Sequence, residues 1–248
     1  MSKKFFIVSL LLIGLAVTAS AQSVPLPKVS IEVGKSAKPD DVSVTLQILL
    51  MMTVLSLAPA ILILTTAFTR IIVVLHFLKQ AMGTPQMPPS QVLVGLAMFL
   101  TFFVMAPVWN RMNTDAIQPY MKSKISASDA YTKASVPLKE FMFKQTREED
   151  LALFVKMSGM SKPATRADIP VHVLVPAFAI SELRTGFQIG FVLFIPFLII
   201  DMVVASILMS MGMMMLPPSM VSLPFKILLF ILVDGWNLVI ASLIASFH

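Results

Sequence analysis

The stretch from Val42 to Thr69 contains no charged residue, and this limits what the chain can fold into more than any other feature. A helix needs about 20 mainly apolar residues to cross the hydrocarbon core of a bilayer. Three further long apolar segments follow it, at Gln91–Trp109, Gly186–Leu216 and Phe225–Phe247. The whole chain is 57% hydrophobic and 13% charged, whereas soluble domains carry about 25% charged residues. We therefore predict an integral membrane protein, or a subunit buried in a membrane-associated assembly.

Several classes of function find no support in the sequence. The chain has no cysteine, which excludes disulfides, zinc–thiolate sites and cysteine nucleophiles. His76, His172 and His248 stand alone, and no phosphate-binding loop, H-E-x-x-H or G-x-S-x-G motif occurs. The net charge of +6 is not gathered in runs, so nucleic-acid binding has no basis. We expect no catalysis, no cofactor and no metal.

Residues 1–21 have the features of a secretory signal peptide. A basic start precedes a short apolar core, and small residues end the segment. We predict cleavage after Ala21, because the apolar core is too short to span a bilayer; the alternative is an uncleaved first membrane helix. The polar, proline-containing residues 22–41 are then predicted to form an exposed N-terminal arm.

The remaining chain divides by composition into three regions. Residues 42–109 predict a first hydrophobic helical hairpin, and residues 186–248 a second one. Residues 110–185 carry most of the charge and predict a helical extracytoplasmic domain, in which Leu138–Met157 is the clearest helix. No sustained strand alternation occurs, so the predicted fold class is all-α.

The predicted topology follows from a mature N-terminus outside the cytoplasm. The first span then runs inward and the second outward. The link between them carries Arg70 and Lys79 and no acid, which agrees with a cytoplasmic position. The third and fourth spans repeat this path, so the turn between them is predicted at the cytoplasmic end of a helical hairpin.

That turn, Met209–Met220, reads MSMGMMMLPPSM, and six of its twelve residues are methionine. Methionine is unbranched and adaptable, and it suits surfaces that must fit changing shapes. Gly212 allows a turn, and Pro217-Pro218 prevents the helix from continuing. From composition alone, these methionines either form such an adaptable surface or simply fill the tip of a hairpin.

Charged residues inside or beside the apolar runs are the other candidates. Asp201 and Asp234 lie within apolar segments, where an acid normally faces protein or water. Each is satisfied by backbone or by Lys226, or else contacts another subunit or takes part in proton movement. Glu182 and Arg184 are two positions apart on a predicted helix and do not face each other. Each therefore needs a different partner, either solvent or a neighbouring subunit.

The chain resembles a known family at the residues that carry these features. From Phe178 it reads FAISELRTGFQIGFVLFIPFLIIDMVVASILMSMGMMMLPPSM, and earlier it reads LSLAPAILILTTAFTRIIVVL and GTPQMPPSQVLVGLAMFLTFFVMAPVWN. These stretches resemble the FliP family of the flagellar type III protein export apparatus, whose injectisome counterparts are the SctR proteins. The resemblance covers roughly Leu46 to His248 and is weakest over 123–167.

The resemblance implies a pentameric ring that works with FliQ-like, FliR-like, FlhB-like and FlhA-like components. It implies an export gate in the bacterial inner membrane, at the flagellar basal body, with a periplasmic domain, through which unfolded flagellar proteins pass. The family's methionine loop, which seals the pore, matches Met213, Met214 and Met215, with Met209, Met211 and Gly212 as additional loop residues. Glu182, Arg184, Asp201, Lys226 and Asp234 are the candidate subunit contacts. The alternative function is a small secondary transporter, which would need polar substrate groups at mid-span.

Overall fold

The computed structural model describes residues 39–84, 87–160, 163, 165–213 and 215–247. The signal peptide predicted for residues 1–21 and most of the arm predicted for 22–41 lie outside those residues. Over the described ranges the chain is helical and has no strand, which confirms the all-α prediction. The chain divides into two compact units, residues 1–50 and 51–248, and the packing described below lies within the second.

The α-helices of the described residues are α1 (Pro39–Thr65), α2 (Phe68–Met82), α3 (Ser90–Met112), α4 (Gln118–Met121), α5 (Ala127–Gln145), α6 (Glu148–Met157), α7 (Val171–Ser210), α8 (Pro218–Leu232) and α9 (Gly235–Ala245). A π-helical turn, Asn113–Ile117, joins α3 to α4, and a 3-10 turn, Arg166–Asp168, precedes α7.

Within the described residues, three helical stretches are long and apolar enough to cross a membrane: Leu46–Thr65, Ser90–Met121 and Val171–Ser210. Helices α8 and α9 reach this length only as a pair, and they are bent by 65° at the break between them. The fourth apolar run, predicted as one segment over Phe225–Phe247, is therefore two helices. Asp234 lies at the break in the left-handed backbone region, with φ 49°, which is incompatible with a continuous helix.

Helix α2 is the centre of the core, and it packs mainly against α7 and α3. Its buried stripe includes Ile71, Val74, Leu75 and Leu78, which recur at the spacing of one helix face. Burying each such side chain contributes about 1.5–3 kcal/mol. Helix α2 ends at Gly83, whose φ of 70° favours glycine and whose N–H donates to the carbonyl of Gln80.

One difference from the prediction lies within the charged region. The single helix predicted over Leu138–Met157 is interrupted after Gln145, and Thr146 and Arg147 are extended. The N–H of Arg147 donates to Ser181 Oγ at 3.1 Å, and the three acids Glu148, Glu149 and Asp150 occupy the first turn of α6. Acids at this position favour a new helix start because they interact well with the helix dipole.

Helix α7 continues through the predicted boundary between residues 185 and 186. Its 40 residues correspond to about 60 Å of helix at 1.5 Å per residue. The same helix therefore contacts α6 of the charged region and, further along, α8 of the apolar region. Helix α7 therefore connects the elements that carry the candidate functional residues.

Candidate functional site

The methionine-rich turn begins with a well-formed helix end. Gly212 has φ 77°, and its N–H donates to the carbonyl of Met209 at 3.0 Å, while the N–H of Met213 donates to Leu208 at 2.9 Å. These two bonds form a Schellman motif, which satisfies the last carbonyls of α7. Glycine is favoured here because the motif needs a left-handed residue.

Two prolines mark the end of the turn. Pro217 is extended and directly precedes α8, and Pro218 is the first residue of that helix. Proline is well suited to this position, since its missing N–H would have no partner in the first turn of a helix. One helix therefore ends and the next begins within a few residues, each at a point that its own sequence marks.

The methionines of the turn are held away from the core. Met215 is 98% exposed, Met211 62% and Met213 43%; Met209 is also exposed, and Met214 lies outside the described residues. Exposed thioether side chains gathered in one turn form an apolar surface, and such surfaces mark contacts with other molecules.

An ion pair with a buried lysine joins α7 to α8. Lys226 of α8 donates to Asp201 of α7 at 2.6 Å and to the carbonyl of Ala81 in α2 at 3.3 Å. Ser222 also donates to Asp201. Lys226 is 3% exposed and the Asp201 side chain 28%, so the pair joins three helices. The remainder of α7 after Asp201, about 14 Å of helix, extends from this pair to the turn.

Glu182 and Arg184 have different partners, as their spacing requires. Glu182 is completely buried and accepts hydrogen bonds from Arg70 of α2 through both carboxylate oxygens. Arg184 is exposed and lies 3.5 Å from Glu149 of α6. A contact between Glu182 and a neighbouring subunit stays a prediction, but its carboxylate already has a partner within the chain. Arg184 remains accessible for such a contact.

Asp234 is not brought together with the other candidates. It is exposed at the break between α8 and α9, and its side chain makes no capping hydrogen bond to α9. Its backbone carbonyl accepts from the N–H of Leu238. Of the two acids predicted within apolar runs, one is therefore paired with Lys226 and the other lies on the surface of the single chain.

The sequence profile of the FliP family matches residues 51–243, which includes the turn, the Asp201–Lys226 pair and the Arg70–Glu182 pair. The chain belongs to the FliP family. It is 61% identical over 217 residues to the flagellar biosynthetic protein FliP of Bacillus subtilis, covering 88% of this chain and 98% of that protein. The FliP of Aquifex aeolicus is 46% identical over 225 residues, covering 90% and 92%. That of Caulobacter vibrioides is 54% identical over 202 residues, covering 82% and 76%.

Arg70 is the functional candidate that sequence reasoning missed in this FliP-family chain. The sequence interpretation placed it in a cytoplasmic link, yet it is 2% exposed and donates to Gln145 and Glu182, which lie in the region predicted outside the cytoplasm. Helical spacing contained the signal, because Arg70 is four residues before Val74 and eight before Leu78, on the buried stripe of α2. A charge on such a stripe needs a buried partner, which Glu182 supplies.

Proposed function

We propose that this chain is a ring-forming core subunit of the flagellar type III export gate, and that its methionine-rich turn lines the narrowest part of the channel. Membership of the FliP family supports the first part. The observation that supports the second is the turn between α7 and α8, where Met211, Met213 and Met215 are exposed apolar side chains.

A gate for unfolded proteins must seal against ions and then admit side chains of every size. Methionine has three rotatable side-chain bonds and a polarisable sulfur, so it can pack against its equivalents when the channel is empty and repack around a passing chain. In a ring, each methionine of the turn is repeated once per copy. Met213, Met214 and Met215 then close one constriction together.

Assembly into a ring would cover the apolar surface that the single chain exposes. Along α7, the exposed large side chains include Phe187, Phe191, Ile195 and Met202. Exposed apolar area on this scale is typical of a surface covered by lipid or by another subunit. We propose neighbouring copies and the FliQ-like and FliR-like subunits as the partners, with FlhB-like and FlhA-like components further along the export path.

The same proposal includes the location: the bacterial inner membrane at the flagellar basal body, with the charged region on the periplasmic side. The three stretches long and apolar enough to span support a membrane location. The methionine-rich turn is then at the cytoplasmic end of the α7–α8 hairpin.

Replacing Met213, Met214 and Met215 together by alanine tests the seal. The change removes apolar volume from one constriction in every copy and leaves the helices that build the ring untouched. We expect the ring to assemble and to leak small ions, measured as loss of membrane potential in cells that express the complete export complex. The matched control replaces Met87, Met121 and Met157, which are exposed elsewhere on the chain, and should stay tight. A triple turn variant that assembles and remains as tight as the parent would refute the seal.

A further inference from the structure

Residues from four separate parts of the chain meet at one buried point, which we call the Arg70 cluster. Its members are Arg70 at the start of α2, Gln145 at the end of α5, Glu182 in α7, and Ser246 and Phe247 directly after α9. Arg70 is 2% exposed, Glu182 0% and Phe247 4%. The first three lie in helices that pack on one another. Ser246 and Phe247 arrive from the far side of the α8–α9 bend.

The guanidinium of Arg70 uses all of its hydrogen-bonding capacity in this cluster. Arginine has five N–H donors in a fixed planar fork. Two of them bind the carboxylate of Glu182, and one binds Gln145 Oε1 at 2.9 Å. The remaining nitrogen, Nη1, donates to the carbonyl oxygen and the hydroxyl of Ser246 at 2.8 and 3.0 Å. Two of the five bonds therefore depend on a single residue after α9.

Phe247 completes the enclosure. Its ring centroid lies 4.0 Å from Arg70 Cζ, within the range of a cation–π interaction. The same ring stacks on Phe141 of α5, with centroids 6.4 Å apart. Gln145 Nε2 also donates to the backbone carbonyl of Phe247 at 2.9 Å. The two residues after α9 thus both bind the ion pair and cover it.

The attachments made by α9 itself are mainly apolar: Val239 and Leu243 belong to the main hydrophobic cluster, and Trp236 packs against Phe230. Three of its 11 residues are buried, Gly235, Val239 and Leu243, and the 65° bend turns it away from the axis of α8. Among the described contacts, hydrogen bonds that join this end of the chain to α2 and α5 are made by the residues that immediately follow α9.

We propose that the Arg70 cluster is a latch: by binding Ser246 and Phe247, it holds α9 against the α2–α5–α7 core, and their docking completes the burial of the Arg70–Glu182 pair. A buried ion pair is favourable only when its remaining donors and acceptors are satisfied. Without Ser246 and Phe247, Arg70 loses two hydrogen bonds and its aromatic cover. The Arg70–Glu182 pair and the last described residues of the chain therefore stabilise each other. This inference does not depend on the proposed role of the methionine-rich turn.

The latch is tested by hydrogen exchange on the full chain in its assembled complex. In Phe247→Ala, we expect the amides of Val239 to Ala245 to exchange about tenfold faster or more, since the ring contact and its burial are lost. Amides of α2 around Val74 and Leu75 should keep their protection. Phe247→Leu retains an apolar cover and should give an intermediate effect. Phe225→Ala, at an exposed position of α8, is the control and should leave α9 unchanged.

Two further variants keep the test decisive if Phe247→Ala does not accumulate. Gln145→Met removes the bond to the Phe247 carbonyl and one bond to Arg70, and retains the Arg70–Glu182 pair. Arg70→Lys replaces the planar fork by one ammonium, which cannot bind Glu182 and Ser246 in the same way. Both should accelerate exchange in α9. If the folded variants exchange at the parent rate over Val239 to Ala245, the latch is refuted and the cluster is only a satisfied ion pair.

Discussion

Gly190 of α7 lies directly against the ring of Phe77 of α2, and no side chain fits between them. A Cβ at Gly190 would lie 2.6 Å from Phe77 Cγ, whereas a Cβ at Gly186 would lie 3.0 Å from Val73 Cγ1. Small residues four positions apart let two helices approach closely. The central contact of the fold therefore depends on the absence of side chains at two positions of α7.

We expect Gly190→Ala to destabilise the chain by about 1–3 kcal/mol, because the added methyl group overpacks the α2–α7 interface. Gly186→Ala should cost less, since its nearest atom is further away. Thermal unfolding in detergent measures both. Gly95→Ala is the matched control: nothing lies within 4 Å of its Cβ position, so alanine should be neutral or stabilising, by up to about 1 kcal/mol. Equal effects at Gly95 and Gly190 would contradict the close approach.

The helical class and the apolar spans of this fold follow from composition. A long uncharged segment in a membrane must satisfy its own backbone hydrogen bonds, and a helix does so within one segment. The methionine-rich turn also follows, since glycine and proline mark its ends. The pairing of Arg70 with Glu182 joins positions 112 residues apart, and helical periodicity gives the buried face of α2 without giving its partner. The break at Thr146–Arg147 has no proline or glycine to mark it in advance, and a tertiary contact of Ser181 with Arg147 accompanies it. At the second break, the Asp234-Gly235 pair is a turn signal, but the apolar residues on both sides of it favoured one continuous segment.

Gly212→Ala should lower the stability of the chain and should also change the position of the methionines in the turn. Its φ of 77° disfavours any residue with a Cβ by about 1–2 kcal/mol, and relief of that strain would move Met213. Gly159 is a close match, with φ 68° and nothing within 4 Å of its Cβ position, in the loop after α6. Both alanine variants should lose similar stability in thermal unfolding. Ion leak or slower export should accompany Gly212→Ala alone; the same phenotype in Gly159→Ala would point to a general loss of stability instead.

The Asp201–Lys226 pair should respond asymmetrically to the loss of each partner. Asp201→Leu leaves the ammonium of Lys226, 3% exposed, with the Ala81 carbonyl as its remaining described partner, and should cost about 3–5 kcal/mol. Lys226→Met should cost less, because Asp201 is more exposed and keeps its bond from Ser222. The double variant should recover much of the loss, since no uncompensated charge remains. Denaturant unfolding of the three variants forms a double-mutant cycle, and purely additive losses would show that the two charges are not coupled.

Reversing the charge of Arg184 separates folding from ring assembly. Its described in-chain partner, Glu149, is 3.5 Å away and both side chains are exposed, so Arg184→Glu should change the free energy of unfolding by no more than about 1 kcal/mol. If Arg184 contacts a neighbouring subunit, as the sequence analysis predicts, the same variant should reduce the fraction of assembled ring on native electrophoresis. Arg166→Glu is the matched control, because Arg166 also forms an exposed ion pair, with Glu148, in the loop before α7. An Arg184→Glu chain that forms rings as completely as the Arg166→Glu chain would remove Arg184 from the subunit interface.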